Sequence, residues 1–231
     1  MSPKNVPVVE LDWGATHRLI PSRFPPIGLF ERVADPLDLE VVYAIEALTN
    51  PRLRQEVGEI SLVPPGERMS GPGSSAVMAA FTHLNPMGSR FSDGSHGVYY
   101  AGRSLETAVR EVSFHQARFL AATREPPIEI DMRCYKATVK QPLHDLRGLV
   151  SKLPAVYDPD SYAASQAMGA RLRALGSWGV AYDSVRDAGG ECVGLFRPLA
   201  LSPAVQGPHV ALQWNGVQIG SWYVKSELRT L

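Results

Sequence analysis

Hydrophobic residues recur in short stretches along this chain, and frequent Pro and Gly residues separate one stretch from the next. In some stretches the apolar positions lie three or four residues apart, which is the spacing of one face of an α-helix. This pattern predicts four helices, at about 37–48, 74–84, 105–122 and 161–176. A serine is expected to cap the helix at 74–84, Ser104 to cap the following one, and Gly176 to close the last.

Other stretches are short and bounded by turn residues, which is typical of strands. They predict a strand at 17–26 that runs into a Pro-rich turn, and further strands at 98–102, 128–139, 179–185, 192–196, 209–215 and 217–224. Asn215 and Gly216 predict a hairpin between the last two strands. Residues 1–14 are expected to form an extended arm, and 64–73 and 85–97 are expected to be loops. These elements predict an α+β fold of mostly antiparallel strands with a few packed helices.

The composition narrows the possible functions. The 231 residues suffice for one main domain, and 23 Lys and Arg balance 23 Asp and Glu, so the charge expected of a nucleic-acid binder is missing. No apolar run approaches the roughly 20 residues that cross a bilayer, and the N-terminus lacks the apolar core of a secretory signal. We therefore expect a cytoplasmic protein that binds neither nucleic acid nor membrane directly. Cys134 and Cys192 have no closely spaced Cys or His partners, which favours buried free thiols over a zinc site or a disulfide.

The window 89–111 contains residue types that could together clamp a ligand. It holds Arg90 on a predicted loop, Tyr100 on a predicted strand and Glu111 on a predicted helix. On a helical wheel Glu111 lies at the border of the buried stripe, where a carboxylate can face a cleft. Position alone leaves all three open, because border Glu residues are mostly solvated or ion-paired, loop Arg residues often anchor loops, and strand Tyr residues mostly belong to cores.

Two blocks of the sequence resemble the RES-domain family, the toxins of bacterial Xre/RES toxin–antitoxin pairs. The first block has an Arg followed by an aromatic residue, then a strand ending in Tyr, and then Ser, Glu-Thr-Ala and Glu. Its residues are Arg90, Phe91, Tyr100, Ser104, Glu106, Thr107, Ala108 and Glu111. The second block, residues 179–198, has a Ser followed by Val-Arg, a Gly-Gly turn and an apolar strand. It supplies Ser184, which completes the Arg, Glu and Ser that name the family.

The resemblance covers about residues 70–225 and bears on the domain organisation. It implies a RES domain over 66–231 with an ADP-ribosyltransferase-like fold. Residues 1–65 are then an N-terminal extension packed on the core, in which 17–22 resembles the opening strand of the family and contains Arg18. The segment 185–190 lacks the P-loop and Rossmann patterns, so it is predicted to be a turn between strands.

The resemblance also implies a reaction, the loss of nicotinamide from the ribose of NAD. Glu111 would stabilise the positive charge that develops on the ribose as the bond breaks. Ser184 would either donate to the carboxamide of nicotinamide or orient Glu111. NAD is the expected substrate, no metal is expected, and the expected protein partner is an Xre-like helix-turn-helix antitoxin.

Further residues are expected to bind NAD. Tyr100 would stack on nicotinamide, and Arg90 would bind the pyrophosphate through paired hydrogen bonds. Phe91 and Arg18 are additional NAD-binding candidates, although Arg18 fits a structural ion pair equally well.

Two other functions stay open at this point. A mono-ADP-ribosyltransferase would use the same residues and pass ADP-ribose to a protein, for which phosphoribosyl pyrophosphate synthetase is a target class in the family. Nothing in the sequence identifies the acceptor, whether water, phosphate or protein. A non-enzymatic interaction module would instead have lost its site, and the retention of Arg90, Tyr100, Glu111 and Ser184 argues against this function.

Overall fold

Two parts of the chain, residues 3–23 and 58–226, are described in the computed structural model. Within them nine strands form one sheet and three α-helices pack against it, which confirms the α+β class. The strands are β1 (Val8–Val9), β2 (Thr16–Pro21), β3 (Tyr99–Gly102), β4 (Ile128–Ala137), β5 (Leu143–Asp145), β6 (Gly179–Asp183), β7 (Glu191–Leu195), β8 (Val205–Trp214) and β9 (Ile219–Val224). The helices are α1 (Ser74–Thr82), α2 (Leu105–Thr123) and α3 (Ala163–Ala174).

The strands lie in the order β1-β5-β6-β7-β3-β2-β4-β8-β9. Every neighbouring pair is antiparallel except β5 and β6, which confirms the prediction of mostly antiparallel strands. The predicted N-terminal arm contains β1, which pairs with β5 through Val8 and His144, so the arm is partly a strand of the sheet. β2 comes from the predicted extension and lies between β3 and β4, while the boundary at residue 65 stays a prediction.

The last two strands form the predicted hairpin. β8 begins at Val205, earlier than the predicted start at 209, and β9 returns antiparallel to it. Gly216 has a φ of 96°, in the left-handed region that glycine adopts easily. Asn215 Oδ1 accepts hydrogen bonds from the main-chain N–H groups of Val217 and Gln218, each at 2.9 Å. The turn is therefore held by its own residues, which is why the sequence predicts it.

The starts of two helices differ in their caps. Ser104 precedes α2, and its Oγ accepts a hydrogen bond from the Thr107 N–H at 3.1 Å, so this predicted N-cap is confirmed. The predicted serine cap of α1 is wrong, because Gly73, with a φ of 83°, precedes the helix. Ser74 is instead the first helical residue, and its Oγ donates to the Gly71 carbonyl at 2.7 Å.

The remaining helix predictions have different outcomes. α3 is shorter than the predicted 161–176, and Gly176, with a φ of 77°, follows its end. The helix predicted at 37–48 lies outside the described residues. No helix within 3–23 and 58–226 is long and apolar enough to cross a membrane.

The core contains apolar side chains on both faces of the sheet. On one face α1 packs with Tyr99 and other side chains of β3. On the opposite face α3 packs on β6 and β7, and α2 packs on β2, β4 and β8. Side chains alternate along a strand, so Tyr100 points to the face opposite to Tyr99, toward α3. Cys134 and Cys192 are buried free thiols, as predicted.

Candidate active site

A cleft opens where two neighbouring strands separate. The ladder between β2 and β3 consists of the single pair His17 and Gly102, whereas β2 pairs with β4 along its whole length. The cavity at this point has a volume of about 1630 Å³. Small-molecule sites usually measure roughly 300–1,000 Å³, so this cleft has room for an extended ligand. Four of the predicted site residues line it: Arg18, Arg90, Tyr100 and Glu111.

The Glu111 carboxylate is held by the β6–β7 hairpin. Ser184, which follows β6, donates from Oγ to Glu111 Oε1 at 2.6 Å. The Cys192 thiol of β7 donates to the same oxygen over 3.9 Å. Burial, and after it the charge of Glu111, raises the pKa of Cys192, so the thiol keeps its proton. Both contacts fall on the same carboxylate oxygen, Oε1.

Ser184 also organises the turn that follows it. Its Oγ accepts hydrogen bonds from the main-chain N–H groups of Arg186 at 3.2 Å and Asp187 at 2.9 Å. The segment 185–190 is a turn between β6 and β7, as predicted. Ser184 is not among the described residues that line the cleft, and its observed contact with Glu111 corresponds to the second of its two predicted roles.

Tyr100 is fixed at the cleft by its hydroxyl group. The Tyr100 oxygen lies 2.9 Å from Ser89 Oγ and accepts a hydrogen bond from the Phe91 main-chain N–H at 2.8 Å. Burial raises the pKa of Tyr100 to about 12, so the phenol is neutral near pH 7.

Phe91 itself is a core residue. Its side chain is 0% exposed and packs edge-on against Tyr182, with 5.1 Å between the ring centroids. Phe91 is therefore not among the described residues that line the cleft, and its contact with NAD stays a prediction. What Phe91 contributes to the site is the main-chain N–H that holds the Tyr100 hydroxyl.

Arg90 is built more deeply into the protein than a loop arginine is expected to be. It is 8% exposed, and Nη1 donates to the main-chain carbonyls of Val156 at 3.0 Å and Asp158 at 3.2 Å. Its Cζ lies 4.8 Å from the ring centroid of Tyr162, which gives a cation–π contact. Arg90 therefore anchors the segment before α3.

Arg18 stands where β2 and β3 separate. Its Nη1 donates to the Tyr100 main-chain carbonyl at 3.2 Å, and its Cζ lies 4.8 Å from the Tyr99 ring centroid. Its Nε has no hydrogen-bond partner among the described residues. Burial lowers the pKa of Arg18, but a guanidinium group stays protonated in proteins. An anion in the cleft would compensate this buried positive charge.

α2 brings two further polar residues to the cleft. Glu111, His115 and Arg118 share one face of the helix and all line the cavity. Burial lowers the pKa of His115 although Glu111 opposes this shift, so the imidazole is neutral near pH 7. Neither His115 nor Arg118 is among the predicted site residues, yet their spacing of four and seven residues from Glu111 is a signal that could have identified both.

The cleft thus combines the Glu111 carboxylate, which Ser184 holds, with several guanidinium groups. Guanidinium groups suit phosphate oxygens, and the carboxylate suits a centre that becomes positive. Within the described ranges, no group of three or more His, Cys, Asp or Glu is arranged to hold a metal ion. The arrangement can bind a phosphate-bearing ligand and stabilise positive charge beside Glu111.

This chain resembles known proteins in its sequence and in its structure. The family model described as RES domain matches residues 67–215. The chain is 31% identical over 214 residues to the uncharacterized protein y4oC of Sinorhizobium fredii, an alignment that covers 90% of this chain and 86% of that protein. A chain in the crystal structure of the M. tuberculosis MbcT–MbcA toxin–antitoxin complex is similar with a TM-score of 0.42 and 17% identity, covering 57% of this chain and 74% of that chain.

Proposed function

Because this chain belongs to the RES domain family, we propose that it is the toxin of a bacterial toxin–antitoxin pair and consumes NAD by breaking the bond between nicotinamide and ribose. The observation that carries the proposal is the Glu111 carboxylate, which lines the cleft and receives a 2.6 Å hydrogen bond from Ser184. A carboxylate fixed in this way does not have to reorganise as charge develops, and such preorganisation is a major source of rate enhancement.

In the proposed reaction, positive charge develops on the ribose, and the site has to stabilise that charge. The bond between C1 of the ribose and the pyridinium nitrogen breaks, and its electron pair leaves with nicotinamide, which becomes neutral. The leaving group therefore needs no proton. The ribose becomes oxocarbenium-like, and Glu111 stabilises this positive charge until a nucleophile adds to C1. Water adds and releases a proton to solvent, whereas phosphate adds through an anionic oxygen and needs to lose no proton.

The other side chains of the cleft suit the rest of NAD. Arg18, Arg90 and Arg118 line the cavity and offer planar N–H donors to the pyrophosphate. Tyr100 offers an aromatic face to nicotinamide, and the bonds to its hydroxyl from Ser89 and from the Phe91 N–H hold the ring in place.

The direct test of the chemistry is to incubate the purified chain with NAD labelled in its ADP-ribose part and to follow nicotinamide release. We expect NAD to be consumed, and intact NAD after prolonged incubation of the partner-free protein would contradict the proposal. Arms with buffer alone, with phosphate and with cell extract distinguish the acceptors. Free ADP-ribose indicates hydrolysis, ADP-ribose phosphate indicates phosphorolysis, and labelled protein indicates a mono-ADP-ribosyltransferase.

The toxin role has its own test in cells. We expect expression of this chain alone to stop bacterial growth and lower cellular NAD, and expression of Glu111→Gln to do neither. An Xre-like helix-turn-helix protein is the proposed partner, which would cover the cleft and restore growth on co-expression. The zero net charge of this chain does not favour DNA binding, so in such a pair the helix-turn-helix partner would contact the DNA. Normal growth despite soluble expression would contradict a toxin role.

A further inference from the structure

Two separated segments of the sequence meet at a contact that the proposed reaction does not use. Thr107 of α2 donates from Oγ1 to Asp187 Oδ2 at 2.8 Å, and Arg110 Nε lies 3.1 Å from Asp187 Oδ1. Asp187 belongs to the turn after Ser184, and Thr107 lies one helical turn before Glu111. The contact therefore joins the turn that holds the carboxylate to the helix that carries it.

The hydrogen bonds around Asp187 form a closed path. Its main-chain N–H donates to Ser184 Oγ at 2.9 Å, and the same hydroxyl donates to Glu111 at 2.6 Å. The turn is closed by its main chain, since the Ser184 N–H donates to the Gly190 carbonyl at 2.8 Å and the Gly190 N–H donates to the Asp187 carbonyl at 2.9 Å. Thr107 is thus linked through Asp187 and Ser184 to Glu111 on its own helix.

The contact between Thr107 and Asp187 is shielded and tightly packed. Thr107 is 2% exposed, and the Asp187 side chain is 18% exposed. A Cβ atom at Gly190 would lie 2.5 Å from Asp187 Oδ2 and 2.9 Å from Thr107 Oγ1, so glycine leaves the space that the hydrogen bond occupies. The Arg110 side chain is 52% exposed, and ion pairs of that exposure contribute little. Thr107 is therefore the principal partner of Asp187.

We propose that Asp187 is a positioning residue for Glu111. By holding the turn against α2 through Thr107, it sets the position of the Ser184 hydroxyl and with it the orientation of the carboxylate in the cleft. This inference rests on the proposed function, because Asp187 acts on the same reaction while lying outside the described lining of the cleft. Small displacements are costly, since a shift of about 1 Å at a reacting group can lower the rate by about 10²-fold.

The kinetic test compares Asp187→Ala with Asp145→Ala. Asp145 is a matched control, because its side chain is also 18% exposed and also pairs with an arginine, which is Arg147. We expect kcat for NAD cleavage to fall about ten- to a hundredfold in Asp187→Ala, with KM unchanged, and to stay at the wild-type value in Asp145→Ala. Asp187→Asn keeps an acceptor for Thr107, and we expect it to recover most of the rate.

A second pair of variants covers the case in which Asp187→Ala does not fold. Thr107→Val removes the hydroxyl and retains the shape, and we expect it to lower kcat as Asp187→Ala does. Thr107→Ser retains the hydroxyl, and we expect near wild-type turnover. Wild-type kcat in a folded Asp187→Ala or in Thr107→Val would overturn the inference.

Hydrogen–deuterium exchange tests the positioning without relying on activity. We expect the amides of 186–190 to exchange faster in Asp187→Ala than in the wild type, and to be unaffected in Asp145→Ala. Unchanged exchange in Asp187→Ala would overturn the inference. If the wild type does not consume NAD but the amides still exchange faster in Asp187→Ala, the positioning contact is supported and the proposed reaction is overturned. Failure of the inference and failure of the proposed function are therefore distinguishable.

Discussion

At the scale of single residues, the charge of Glu111 can be separated from its shape. Ser184 and Cys192 both contact Oε1, and a glutamine carbonyl could accept the same hydrogen bonds. A Glu111→Gln variant therefore retains the local structure while losing the negative charge. The effect of this variant reports what the charge contributes to the reaction.

We expect Glu111→Gln to lower kcat by about 10²- to 10³-fold while NAD binds almost normally, because the ribose becomes cationic only on the way to cleavage. Initial rates give kcat, and calorimetric titration of NAD gives Kd. Glu106→Gln is the control on the same helix, since Glu106 is 57% exposed and pairs with Arg110. Near wild-type turnover by a folded Glu111→Gln would move the catalytic carboxylate to another residue.

Arg90 is expected to combine two roles. We expect Arg90→Ala to weaken NAD binding about ten- to a hundredfold, through loss of a charge-assisted contact of roughly 1.5 to 3 kcal/mol. The variant should also lose about 1 to 3 kcal/mol of unfolding free energy, because the carbonyls of Val156 and Asp158 lose their donor.

Urea denaturation and NAD titration measure the two effects of Arg90→Ala separately. Arg103→Ala serves as the control, because Arg103 is 54% exposed and pairs with Glu191 at the surface. Removal of such a surface pair should cost less than about 1 kcal/mol. An Arg90→Ala variant as stable as the wild type would show that Arg90 is not an anchor.

At the scale of elements, close approach of two main chains places α3 against the loop of the site. A Cβ atom at Gly169 in α3 would overlap the Phe91 carbonyl oxygen and lie 2.9 Å from the carbonyl carbon. Main-chain atoms cannot move aside as the end of a flexible side chain can. The same loop carries Arg90 and the N–H that holds Tyr100, so the seating of α3 bears on the cleft.

We expect Gly169→Ala to lower the free energy of unfolding by about 1 to 3 kcal/mol through overpacking. This loss outweighs the roughly 1 kcal/mol by which Ala favours a helix over Gly. Gly220→Ala in β9 is the control, since a Cβ there meets nothing within 4 Å. Urea denaturation compares the two variants, and a Gly169→Ala variant more stable than the wild type would contradict the close approach.

At the scale of the whole molecule, buried imidazoles couple stability to pH. Burial is the largest cause of the lowered pKa of four histidines, His17, His96, His115 and His144. The folded chain therefore binds fewer protons than the unfolded chain once the pH falls below the unfolded pKa of about 6.5. The stabilising contribution of these groups is present above that pKa and is lost as the pH falls through the lowered values.

We expect Tm to fall as the pH is lowered from about 7.5 to about 5.5, at constant ionic strength. Most carboxyl groups titrate at lower pH, so the histidines dominate this range. Replacing one of the four, as in His115→Gln, should make the fall shallower. Thermal denaturation across this range measures the slope, and a constant or rising Tm on acidification would contradict the expectation.

The sequence by itself determined the elements whose contacts are local. The Ser104 cap uses an N–H three residues away, and the Asn215-Gly216 turn uses N–H groups two and three residues away. The α+β class follows from such elements, and the family resemblance predicted Arg90, Tyr100 and Glu111, which line one cleft. These features could be predicted because each depends on neighbouring residues or on a motif.

Only the tertiary structure decided the features that depend on distant partners. β5 has only three residues and is a strand because it pairs with β1 and β6. A segment this short shows no hydrophobic periodicity from which it could be predicted. Phe91 has an aromatic side chain suited to either a ligand or a core, and its contact with Tyr182 decides for the core. Glu111 meets Ser184, 73 residues away, because sheet pairing brings the β6–β7 hairpin under α2. The pattern of neighbouring residues indicates which segments can form a helix or a strand. It does not indicate which elements pack together, and these contacts depend on that packing.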